Sequence, residues 1–348
     1  MNNQQLTEQV HTLLTDFAAE IAGVRVLDPA CGSGNFLYVA LRELLNLQKA
    51  VISWAARREL PSIPLTVGPE QLYGIEINPY AHELAQITAW IGTLQWRNEN
   101  GFANITDPIL RPLHNIQRMD AILAYDANGN PVEPEWPVAD VIIGNPPFLG
   151  GQRLLREFGE AYVQNMRDVY EQRLPHGSDL VTYWFEKARA QINKNFSGRV
   201  GFIATQAIRT GSNRMVLDRI LDTGSVFFAW SDREWVLDGA NVRVSIIGFD
   251  NGTQQTKFLN GSTVLKIHSN LTHGIDITTS IRLKENFDLS FKGIDKSGSF
   301  ELSKTEASQL LEIQNQDPTF LNDTVVRPWI NGLDITNRFR EMWIIDFN

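Results

Sequence analysis

The chain has 348 residues, a net charge of −9, 43% hydrophobic residues and one cysteine. That length and apolar content suit one large soluble domain or two. A single cysteine excludes an internal disulfide, the histidines have no metal-ligand spacing, and no run approaches the roughly 18 apolar residues that span a bilayer. With no signal-like N-terminal segment either, the sequence predicts a cytoplasmic protein with no membrane partner and no metal site.

Runs rich in Val and Ile begin at VRVLD (24–28) and LYGIEIN (72–78) and continue through NIQRMDAIL (115–123) and DVIIGN (140–145). RVGFIAT (199–205), SVFFAWS (225–231) and VRVSIIGFD (242–250) complete the set. Between them, apolar residues recur at helical spacing over 35–60, 81–96, 180–193 and 213–221. Strands alternating with helices predict an α/β fold, a Rossmann-like, doubly wound, seven-stranded sheet that is mostly parallel. The last two strands are joined by DREWVLDGAN, which reads as a short irregular link with no crossover helix. This predicts an antiparallel strand at that edge. Beyond Asp250 the alternation stops, so the expected division is a catalytic domain over 1–250 and an α+β extension over 251–348.

The first strand runs into LDPACGSGNF, where Gly32 and Gly34 let backbone amides approach a ligand beside a helix starting near Asn35. A nicotinamide-binding loop wants a third glycine where Leu37 stands and an acid about 20 residues on; both are missing. Acids instead end three successive strands: Asp28, Glu76 and Asp120. At the carboxyl ends of such strands Glu76 can accept both hydroxyls of a ribose, and Asp120 can accept from an adenine amino group. Each acid is also a residue that a cap or turn carries. The fourth strand ends in NPPF (145–148), whose prolines cannot continue a sheet and fix the direction of their neighbours' carbonyls. Taken alone, NPPF is equally a rigid strand-ending turn.

In this order LDPACGSGNFL, LYGIEINPYA, RMDAI and NPPF resemble motifs I to IV of the amino-methylating DNA methyltransferases. GSDLVTYWFEKA (177–188), GRVGFIATQAIRTGSNR (198–214) and FFAWSDREWVLDGANVRVSIIGFD (227–250) resemble motifs V, VI with VII, and VIII. The resemblance covers most of residues 24–250, and the spelling of the later blocks resembles the MmeI-like single-chain restriction-modification enzymes. It implies S-adenosyl-L-methionine as cofactor, bordered by Asp28, Pro29, Ala30, Cys31, Gly32, Gly34, Asn35 and Phe36. Glu76 would bind the ribose and Asp120 the adenine amino group, with Ile77, Ala121 and Asn145 also at the cofactor.

The same resemblance places Asn145, Pro146, Pro147 and Phe148 at a flipped adenine. An exocyclic amine is a poor nucleophile because its lone pair is delocalised into the ring. Acceptors on both N–H bonds, the Asn145 side chain and the Pro146 carbonyl, favour a pyramidal nitrogen aimed at the methyl group, and Phe148 offers a stacking face. Charge is uneven: residues 1–150 carry 8 Lys and Arg against 16 Asp and Glu, whereas residues 151–219 carry 11 against 7. Within that basic block Arg153, Arg156, Arg167, Arg173, Arg209 and Arg214 are the expected phosphate contacts for double-stranded DNA, a solvated helical face being the other reading.

Departures from the family pattern leave rivals standing. No upstream motif X is recognisable, no nuclease domain precedes the first strand, and the chain stops about where a target-recognition domain begins in the family. The expectation is the core of a longer protein or one piece of a split gene, with a binding-only fragment as the alternative. Methyltransferases acting on glutamine side chains share the NPP-aromatic motif, usually with tyrosine as the aromatic, RNA is a further alternative substrate, and cytosine-amine enzymes usually have Ser or Asp at the position of Asn145.

Overall fold

Ala18 and Ile21 bury one side of a first helix, α1 (Asn3–Gly23), in the cluster formed by Leu37, Leu41 and Leu45 of α2 (Asn35–Ala56). Between them lies β1 (Val26–Asp28), all three of whose residues are buried. β2 (Leu72–Glu76) follows, then α3 (Pro79–Glu99), which starts sharply because Asn78 Oδ1 accepts from the amides of Tyr80 and Ala81 and Pro79 supplies a preset φ. Next come β3 (Ile116–Arg118) and a small hairpin of β4 (Ala124–Tyr125) and β5 (Pro131–Val132). β6 (Val141–Gly144) leads through NPPF into α4 (Gly151–Phe158), α5 (Glu160–Tyr170) and α6 (Val181–Asn193). β7 (Arg199–Thr205), α7 (Gly211–Thr223), β8 (Ser225–Leu237), β9 (Ala240–Asp250), β10 (Lys257–Leu259) and β11 (Ser262–Val264) complete this part.

This computed structural model describes residues 3–102, 112–237, 240–274, 300–313, 321–330, 334 and 339–346. It separates two compact units, Met1–Ser280 and Ile281–Asn348. In the first, one sheet has the order β11-β10-β8-β9-β7-β6-β1-β2-β3. β1 pairs in parallel with β2 and β6, and the order reverses there, so the crevice beyond the carboxyl ends of β1 and β6 is where such sheets take ligands. Two apolar clusters flank the sheet, one built on α1, α2 and α3, the other on α5, α6 and α7.

All seven expected strands are present and the α/β class holds, with three differences in detail. The antiparallel strand β9 is not at the edge: it lies between β7 and β8 and pairs antiparallel with both. Within DREWVLDGAN the described residues are not an irregular link: 232–237 and 240–241 continue the β8–β9 ladder, which runs past the last β7 pair, Thr205 with Val244, to Leu237 with Ala240. Arg243 supports this outer ladder by bonding Asp232 at 2.6 Å and its cross-strand partner Glu234 at 3.4 Å. The sheet also continues past Asp250, since β10 pairs in parallel with β8 and β11 closes that side. Helices α1, α4 and α5 were not among the sequence expectations.

The second unit contains β12 (Glu301–Leu302), α8 (Lys304–Glu312), β13 (Val326–Pro328) and β14 (Trp343–Ile345). Ser303 and Glu306 form a reciprocal capping box at the start of α8. The closing apolar run is the central strand here, with β14 antiparallel to β12 on one side and β13 on the other.

Candidate active site

Each of the three acids leaves its strand in the same way. Asp28 Oδ1 accepts from the Ala30 amide at 3.0 Å, Glu76 Oε1 from Asn78 at 2.7 Å, and Asp120 Oδ1 from Ile122 at 2.7 Å. The reading as turn residues is therefore correct as far as it goes, and it orients the carboxylates rather than consuming them. Glu76 also accepts from the Gly32 amide at 2.9 Å, which ties the glycine loop to the end of β2. Gly34 sits at φ 85° with an added Cβ only 3.1 Å from the Ala85 backbone, so both conformation and the close approach of α3 demand glycine there. Asp28 lies beneath the loop, 1% exposed. Burial, with the Glu76 charge adding to it, pushes its carboxyl up to about 7 against the relief given by the Ala30 amide.

Above these turns is a cavity of about 400 Å³ lined by Pro29, Ala30, Glu76, Ile77, Asp120, Ala121, Asn145 and Pro147. The structure thus brings the ends of β1, β2, β3 and β6 to one space. Ile77 is exposed at its lip and offers an apolar face to the cavity. Asn145 Oδ1 is buried and has no hydrogen-bond partner. Such an acceptor costs about 1–3 kcal/mol when left unpaired, so its presence at a cavity wall is informative.

Other expected residues contribute differently. The Cys31 side chain packs in the core with Leu37 and Ile116, burial pushes its thiol well above the ordinary range, and only its backbone faces the loop turn. Gly32, Gly34, Asn35 and Phe36 build the loop and helix start without lining the cavity. Pro146 is buried, and Phe148 packs half-buried against the core beside Leu149 rather than in the cavity wall. Among the arginines, Arg153 and Arg156 are exposed on α4. Arg167, Arg209 and Arg214 are half-buried, each with a buried Nε that makes no hydrogen bond, and Arg214 lies 3.7 Å from Asp218. Arg173 departs from expectation: it is held 2.5 Å from Glu133 and stacks 4.4 Å over Tyr170, a structural engagement that takes it out of the phosphate-facing set.

The remaining walls come from residues the sequence did not single out as site residues: Ile75, Met119, Leu149, Glu157, Phe158, Tyr162, Leu180 and Trp184. Tyr162 on α5 donates to Asp120 Oδ2 at 2.8 Å and stacks with Phe158 of α4. Trp184 Nε1 on α6 donates to the Pro29 carbonyl at 3.0 Å, and the Leu180 amide donates to the Leu149 carbonyl at 2.8 Å. These helices hold the first turn and the NPPF exit in register.

Residues 3–260 match the family described as MmeI, DNA-methyltransferase domain. The chain belongs to that family. It is 29% identical over 301 residues to DNA methyltransferase A of Bacillus subtilis (strain 168), across 80% of this chain and 33% of the relative. The chain therefore spans about a third of that relative's length. A type IIL restriction-modification enzyme, MmeI, solved in complex with DNA, superposes with a TM-score of 0.71 at 23% identity, over 96% of this chain and 46% of that one. Among the described residues no cluster of His, Cys, Asp and Glu could hold a metal ion, and no helix is long and apolar enough to cross a membrane.

Proposed function

We propose that this chain transfers a methyl group from S-adenosyl-L-methionine to the N6 amino group of a flipped adenine in double-stranded DNA, as the methyltransferase of a restriction-modification system. The observation that carries the reading is the unpartnered, buried Oδ1 of Asn145 on the wall of a cavity ringed by Glu76 and Asp120. The chain's residues fit the cofactor: Glu76 retains acceptor capacity for a ribose, Asp120 for an adenine amino group, and Ile77 for the face of the ring. When bound, the cofactor supplies an electrophilic methyl group on a sulfonium. Asn145 Oδ1 and the Pro146 carbonyl then take the two N–H bonds of the target amine and turn its lone pair inward. No strong general base is needed, because the leaving group is already activated.

Arg153 and Arg156 on α4, with Arg167, Arg209 and Arg214, position the duplex through phosphates and read no sequence. Nuclease and target-recognition functions belong to other parts or partners of the system, in the cytoplasm. The test is nucleoside mass spectrometry on DNA from a methylation-free host expressing this chain or its Asn145→Ala variant. N6-methyladenine with the parent alone supports the proposal; N4-methylcytosine, or methyl transfer to protein or RNA only, overturns it.

A further inference from the structure

Asp120 is more constrained than adenine recognition alone requires. A carboxylate offers about four acceptor positions. Two on Oδ1 are taken by the amides of Ile122 and Leu123, at 2.7 and 3.1 Å, and one on Oδ2 by the Tyr162 hydroxyl at 2.8 Å. One position on Oδ2 is left, and both Asp120 and Tyr162 line the cavity. Tyr162 comes from α5, outside the turns that carry the sequence motifs, and its ring is fixed by Phe158 at 4.8 Å between centroids.

Building on the cofactor reading above, we infer that Tyr162 is a positioning residue that sets adenine selectivity at the cofactor site, by holding Asp120 Oδ2 so that its one remaining acceptor position faces the cavity. Burial and the neighbouring Asp120 charge push the Tyr162 hydroxyl far above its ordinary range, so it stays a donor. A carboxylate held in this way accepts from a 6-amino group and repels the 6-oxo group of hypoxanthine. Without the hydroxyl, Oδ2 can turn from the cavity, and the discrimination between the two bases shrinks.

The experiment is calorimetric titration of the full chain and its Tyr162→Phe variant with S-adenosylhomocysteine and with S-inosylhomocysteine. The variant is expected to bind the adenine form about tenfold more weakly, the loss of one charge-assisted hydrogen bond, while its weak affinity for the hypoxanthine form hardly changes. Replacing Tyr162 by 4-aminophenylalanine through amber suppression restores a donor and is expected to recover most of the selectivity. If Tyr162→Phe does not fold, 4-fluorophenylalanine at the same position, which fills the space without donating, takes its place. Equal losses for both ligands, or no loss, overturn the inference while leaving the cofactor reading intact. Failure of the parent to bind S-adenosylhomocysteine overturns both.

Discussion

Replacing Asn145 by Ala separates a functional residue from a structural one in a single variant. In the free protein the Asn145 side chain carries a buried acceptor with no partner, a state that costs about 1–3 kcal/mol. Truncation to Ala removes that cost and forfeits a few apolar and van der Waals contacts, so the two changes nearly cancel or leave about 1 kcal/mol of net stabilisation. For a folding unit of this size that corresponds to a melting temperature unchanged or raised by about 2 °C. Activity is expected to move the other way, with methyl transfer reduced by at least a hundredfold, because an acceptor aimed at the reacting amine is worth about 3 kcal/mol in the transition state. Differential scanning fluorimetry and a radiolabel transfer assay measure the two quantities on one preparation, with S-adenosylhomocysteine titration as the control for cofactor binding. A melting temperature several degrees below the parent, with cofactor binding and transfer lost together, would show that Asn145 holds the fold rather than the substrate.

Asp28, raised from an ordinary 3.8 to about 7, keeps its proton in the folded chain where the unfolded chain has lost it. Its contribution to stability is full below about pH 4 and is lost as pH rises to about 7, on the order of 4 kcal/mol across the window. The difference in unfolding free energy between parent and Asp28→Asn should follow that curve, and a flat difference would refute it. A cationic ligand at the glycine loop favours the ionised form, so calorimetry in buffers of different ionisation enthalpy should detect proton release on cofactor binding below pH 7. Gly144→Ala puts a Cβ 2.6 Å from Asp28 Oδ1 and should destabilise by about 1–3 kcal/mol, read as a shift in urea midpoint. Glu186, fully buried with Arg189 at 2.7 Å and Arg219 at 3.0 Å, should cost about 3–5 kcal/mol when changed to Ala, because two guanidinium groups lose their partner. Arg153→Ala with Arg156→Ala should lower the slope of log affinity for DNA against log salt by up to about 2, and an unchanged slope places the duplex elsewhere.

The parts of the site legible in the sequence are those whose chemistry dictates backbone shape. Gly34 is needed where φ is positive and NPPF ends a strand; each leaves a mark that few other residue types would make. Phe158, Tyr162 and Trp184 leave none. They sit on helices whose neighbours Val163, Met166 and Tyr170 are fully buried, and helical spacing alone cannot distinguish an aromatic that lines a cavity from one that fills a core. Helices α4 and α5 escaped for a related reason: the basic, polar segment that forms them reads as a charged surface before it reads as secondary structure. DREWVLDGAN misled because its charges suggest a loop, whereas Arg233 stacked 3.6 Å over Trp230 and Arg243 bonded across the strands make those charges part of a ladder.

The electrostatics of the site are compatible with a net charge of −9 in a chain proposed to act on a polyanion. Glu76, Asp120 and Glu157 line the cavity, which suits a ligand carrying a sulfonium and disfavours phosphate in the same space. The residues that follow NPPF reverse the sign: α4 turns Glu157 and Phe158 towards the cavity while Arg153 and Arg156 remain exposed. One short helix thus carries two residues that line the acidic pocket and two exposed cations, with Arg153 one turn from Glu157. On the proposed function, a duplex steered to those arginines would meet the pocket only through a base that has left the stack, since phosphates would be held off by the same carboxylates that suit the cofactor. On that reading the uneven charge along the sequence divides the labour between a cation site and an anion surface.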